Sequence, residues 1–218
     1  MILRLSIKKH FVRCLILCIG FCSVSSGLAS ESALRSFLEN VATLEAGFSQ
    51  RVEDETGSVL ESSGGRFYLS RPGKFRWDYK NTEFEGELGQ QIVADGESLF
   101  FYDPDLDQAS QRSLSNAVAQ TPSLLLVMSN ADLDQHFKTI DLGKSDALSW
   151  VALQPSSEDA GYLQLIIGFL GDKLDTLVLE DGIGNTTRLE LNDIAVNQKI
   201  DQRLFHFEVP EGADLLSE

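Results

Sequence analysis

The sequence predicts a mainly β chain: an antiparallel meander with one N-terminal helix and one central helical insert. Three observations predict it. From Gly47 to Leu114, and again from Phe137 onward, apolar residues recur at period two in short runs separated by turn residues, the pattern of strands with one buried face. The connections are too short for crossover helices, and Asp95-Gly96 is a strong hairpin signal, so neighbouring strands run antiparallel. Before Gly47 the spacing is three and four residues, through Leu34, Phe37, Leu38, Val41 and Leu44, which is the apolar stripe of a helix.

Residues 1–29 read as a cleaved secretory signal peptide, leaving 30–218 as a single domain. Arg4, Lys8, Lys9 and Arg13 form a basic segment without acids, followed by the apolar run Cys14–Cys22, too short to cross a bilayer as a helix. Gly27 and Ala29 supply the small residues of a cleavage site after Ala29. All three cysteines leave with this segment, so disulfide and thiolate chemistry leave too. What remains has 14 basic residues against 33 acidic ones, a net charge of −19 compared with −15 for the whole chain. Such a surface repels nucleic acid and anionic lipid headgroups.

Ser30 or Ser32 caps the first helix, with Glu31 near the positive end of its dipole. The strands expected next are 48–53, 59–69, 74–79, 90–94, 98–102 and 108–114. Arg71-Pro72-Gly73 forms the turn before the third, with Pro72 and Gly73 suited to the centre of a type II turn. After it, Phe75, Trp77 and Tyr79 share one face while Lys74, Arg76 and Asp78 share the other. Thr121-Pro122 then starts a helix whose core, Leu124-Leu125-Leu126-Val127-Met128, is apolar all round. Ser129-x-x-Asp132 resembles a capping box for a second short helix reaching His136. The remaining strands fall at 137–142, 149–154, 162–170, 173–180, 186–192 and 204–209.

Catalysis finds little support. His136 and His206 lack metal-ligand spacing, there is no G-x-S-x-G elbow, and no glycine-rich phosphate loop follows a strand. Asp103–Asp107 imitates the start of a calcium loop, but Gln108 and Leu114 stand where glycine and glutamate are required. The stronger constellation is apolar: the two helices together with Phe48, Phe67, Leu69, Phe75, Trp77, Ile92 and Phe100 or Phe101. From the residues alone it is either a plain core or the wall of an apolar site, and Arg71 is either a solvated turn residue or a functional one.

Phe48-Ser49-Gln50, Arg71-Pro72-Gly73-Lys74-Phe75-Arg76-Trp77, Val93-Ala94-Asp95-Gly96, Phe101 to Gln108 and Thr121-Pro122 before the Leu-rich helix follow one another in order. With Asp181-Gly182-x-Gly184-Asn185-Thr186 and Phe205-x-Phe207-x-Val209-Pro210-x-Gly212, the whole resembles the periplasmic outer-membrane lipoprotein carrier family (LolA). That resemblance implies an incomplete, curved antiparallel β-barrel with helices covering its concave face as a lid. It implies a non-enzymatic periplasmic monomer without cofactor. Such a monomer takes triacylated lipoproteins from an inner-membrane ABC transporter to an outer-membrane receptor. It implies an acyl-chain cavity lined by Phe48, Phe67, Leu69, Phe75 and Trp77, with Leu124, Leu125 and Met128 from the lid. In the family, an arginine at the position of Arg71 latches the lid by hydrogen bonds to backbone carbonyls of its helices. A sensory module of the same fold, or a carrier of another lipid or glycolipid, are the alternative readings.

Overall fold

The computed structural model describes residues 29–81, 88–114, 126–158 and 160–217. The leader, Thr121-Pro122, Leu124 and Leu125 lie outside the described residues. Helix α1 (Ala29–Asn40) is followed by strands β1 (Thr43–Glu53), β2 (Val59–Ser70), β3 (Lys74–Lys80), β4 (Leu88–Asp95), β5 (Ser98–Asp103) and β6 (Gln108–Ser113). Helix α2 (Asn130–His136) then leads to β7 (Phe137–Ser145), β8 (Leu148–Pro155), β9 (Tyr162–Leu170), β10 (Lys173–Asp181), β11 (Thr186–Val196) and β12 (Asp214–Ser217).

All twelve strands lie in one sheet, in the order β12-β6-β5-β4-β3-β2-β1-β11-β10-β9-β8-β7. Every neighbouring pair is antiparallel except β12 with β6. The sheet is curved and open, an incomplete barrel whose end strands are β7 and β12. Both helices lie on its concave side. Leu34, Phe37 and Leu38 of α1 and Leu133 of α2 enter the same buried cluster as the inner faces of β1–β3 and β8–β11. The apolar stripe of α1 is buried there, which is what holds a twelve-residue helix that would be marginal alone. The expected capping box starts α2: Ser129 accepts from the Asp132 amide, and the Asp132 carboxylate accepts from the Ser129 amide.

One expectation is corrected here. The 204–209 segment is not a strand: Gln202–Phe205 is a 3-10 turn, and the chain after it crosses the convex face. β4 and β5 already have strand partners on both sides, so a segment lying over their face meets side chains and finds no free ladder. Phe207 stacks there on Phe100, 5.2 Å between ring centroids. At the expected turn Gly73 has the positive φ foreseen for it, 72°, and the Arg71–Pro72 bond is cis.

Candidate functional site

Alternation along β1, β2 and β3 brings Phe48, Phe67, Leu69, Phe75 and Trp77 to one concave wall, where each is buried. The register sets Phe67 opposite Trp77 and Leu69 opposite Phe75. Phe67 stacks on Trp77 at 4.1 Å, and Phe48 meets Trp77 and Tyr79 edge-on at 4.9 and 5.1 Å. Gly65 makes room for this: a Cβ there would lie 1.9 Å from the Asp78 carbonyl oxygen and 2.9 Å from the Phe48 ring. Burial pushes the Tyr79 phenol up to about 12, assisted by the nearby Glu61 charge. Leu126 and Met128 join the same cluster from the segment before α2.

Arg71 stands at the end of this wall, on the β2–β3 turn, and touches both covering elements. Its Nε donates to the carbonyl oxygen of Val41, just past α1, and its Nη1 donates to that of Met128, both at 2.8 Å. The guanidinium also lies over the Phe37 ring, 5.2 Å from its centroid. No carboxylate pairs with it among the described residues, and its Nη2 is buried without a partner. Burial pushes its pKa down to about 10, so it remains charged at neutral pH. A second arginine ties the helices together, for Arg35 of α1 pairs with Asp134 of α2 at 2.7 Å.

A cavity of about 650 Å³ opens beside Arg71, between Pro72, Gly73 and Gly96 on the sheet side and Val127, Met128 and His136 on the helix side. Of the residues expected at an apolar site, Met128 lines it. The aromatic wall lies beneath the helices as packed core. The arrangement offers a buried apolar surface, joined to its two covering elements by one cation.

The family model described as outer membrane lipoprotein carrier protein LolA matches residues 39–208. This chain belongs to the LolA family. The outer-membrane lipoprotein carrier protein of Methylococcus capsulatus is 40% identical over 203 residues, 93% of this chain and 94% of that protein. That of Methylobacillus flagellatus is 36% identical over 186 residues, 85% and 88% of the two chains. The crystal structure of an uncharacterized conserved protein from Thermus thermophilus superposes with a TM-score of 0.54 at 12% identity, over 87% of this chain and 99% of that one. The fold is therefore shared well beyond the reach of sequence likeness.

In this LolA-family chain, sequence reasoning missed half of the concave surface. Val151, Leu153, Leu165, Ile167, Phe169 and Leu177 form the wall that faces α1, with Phe37 and Phe169 rings 6.2 Å apart. The signal was present as alternation through Leu165, Ile167 and Phe169. It marked strands without saying that they curve round to face β1–β3. Phe100, by contrast, belongs to the convex side, while Phe101 is 38% exposed.

Proposed function

We propose that this protein carries lipoproteins across the periplasm by enclosing their acyl chains between the concave face of the sheet and its helical lid. As a monomer, it takes triacylated cargo from an inner-membrane ABC transporter and yields it to an outer-membrane receptor, without catalysis. The observation that carries the reading is the position of Arg71. It joins one turn of the sheet to both lid elements, through two backbone carbonyls and the Phe37 ring. The residues Phe48, Phe67, Leu69, Phe75 and Trp77, with Met128 and the flanking Leu124 and Leu125, are the proposed acyl-chain surface, and Arg71 is the proposed latch.

The physics explains why such a carrier is needed. Three acyl chains hold on the order of 45 methylenes, and each stabilises the buried state by about 0.8 kcal/mol, so their exposure to water costs roughly 35 kcal/mol. A reversible carrier meets that demand with non-directional apolar contact. Release then requires a competing covered state, and the wall packed under its own helices supplies one. Arg71 favours that state.

An Arg71→Leu variant should load cargo and release it poorly. The check is transfer of a radiolabelled lipoprotein from the variant to receptor-bearing outer membranes, beside loading from inner-membrane vesicles. Transfer at the wild-type rate would sink the latch.

A further inference from the structure

Among the described residues, the concave side holds hydrogen-bond donors that the closed protein leaves unused: Trp77 Nε1 and Arg71 Nη2 on the β2–β3 side are buried without a partner, as are the hydroxyls of Ser63 and Tyr162. Trp77 is 3% exposed, and its ring neighbours are Phe67 and Phe48 at 4.1 and 4.9 Å, which carry no oxygen acceptor. An indole in such surroundings brings apolar area, which phenylalanine would also supply, and a donor, which it would not. A buried donor with nothing to accept from it destabilises the state in which it sits. The Trp77 and Arg71 donors are also aligned. Arg71 stands at the turn where β2 passes into β3, and along β3 the inner-facing residues run Phe75, then Trp77, opposite Leu69 and Phe67. One donor is therefore at the mouth of the wall and the other farther along it.

A fatty chain is apolar everywhere except at its linkage. An ester linkage offers a carbonyl acceptor and no donor, and an amide linkage offers an equally good acceptor. Buried donors set among apolar side chains match acyl linkages, whereas a plain alkyl chain leaves them unmatched.

We infer that Trp77 Nε1 and Arg71 Nη2 recognise the carbonyl oxygens of the cargo's acyl linkages, so that the cavity distinguishes acylated ligands from merely alkylated ones. The inference rests on the concave face being the acyl-chain site. It makes Trp77 a specificity-determining residue, and it gives Arg71 a contact with cargo besides its contacts with the lid.

The test is a ratio of affinities. The probes are a tripalmitoylated S-glyceryl-cysteinyl peptide and its analogue whose two glycerol-linked chains are ethers. Lid opening precedes binding of either, so its free energy cancels from the ratio. Wild-type protein should bind the ester form about tenfold more tightly, because a site built around donors rejects a ligand that cannot accept. Trp77→Phe should lose most of that preference, read as the ratio of the two affinities whatever their absolute values. Arg71→Leu should shift both affinities together through the lid and lower the ratio a few-fold. Equal affinities in the wild type would overturn the inference and leave the carrier intact. Binding of neither probe would overturn the carrier and this inference with it. A Trp77→Phe protein that keeps the full preference would remove Trp77 from the recognition.

Discussion

Arg71 and Arg76 lie five residues apart, and each donates to a backbone carbonyl of a segment covering one face of the sheet. Arg71 reaches Val41 and Met128 on the concave side. Arg76 reaches Leu204 on the convex side, at 3.2 Å. The difference is in the charge. Asp78 accepts twice from Arg76 Nε, at 2.7 and 2.8 Å, and both side chains are largely buried. Arg71 has burial without a counter-charge among the described residues. The convex cover is also fastened elsewhere, by Gln202 to Ser70 and by β12 along β6. A compensated cation under a cover with many ties makes a permanent surface. An uncompensated cation between two covering elements carries its desolvation without a counter-charge, and under the proposed function that is the cover that opens.

The comparison can be broken most forcefully at Phe205, which is 2% exposed under the convex cover. Phe205→Ala should lower stability by about 3–5 kcal/mol, as measured by urea unfolding, and an acylated peptide should not restore it. Recovery on adding the peptide would mean that the convex cover also opens to cargo. Next in size is the pair of charges. Asp78→Asn leaves the Arg76 cation without its partner, an expected loss of about 2 kcal/mol after discounting for partial exposure. Arg71→Leu removes an unpaired buried cation together with two hydrogen bonds, and should stay within about 1 kcal/mol of wild type. If the two substitutions are equally destabilising, the contrast drawn between the arginines is wrong.

The smallest effect is on the alkaline limb. Burial holds the phenols of Tyr79 and Tyr162, both packed in or against the concave cluster, up to about 12. The folded state keeps these protons at pH values where the unfolded chain has lost them, so stability should decline as pH climbs from about 10 towards 12. Phenolate absorbance should contain a late-titrating component from these two side chains. If Tyr79→Phe and Tyr162→Phe leave the late-titrating amplitude unchanged, the concave side is wetter than its packing indicates.

Much of this was legible because period two and short turns are local signals. β9 is expected at 162–170 and found at Tyr162–Leu170. What escaped was non-local. The helical stripe extends on paper to Leu44, yet α1 ends at Asn40 and Leu44 is the first inner residue of β1. Its spacing from Val41 meets the strand's own parity by coincidence. β12 has no alternation to read, since Leu215 and Leu216 are both exposed, and it exists through the free edge of β6. Arg71 was visible as a residue worth watching. Its partners are backbone carbonyls, which every residue owns and no side-chain pattern advertises.

The place of β1 in the sheet bears on how the chain acquires its shape. β1 joins the β2–β6 meander to the β7–β11 meander, and Phe48 pairs with Leu191, roughly 140 residues later. Each meander can form from near neighbours, but the seam between them closes a very long loop. A chain emerging N-terminus first therefore holds one edge of β1 unpaired until almost all of it has appeared. High contact order of this kind slows folding. The seam is thus the expected rate-limiting step, and it is the stretch that a holding chaperone would need to shield.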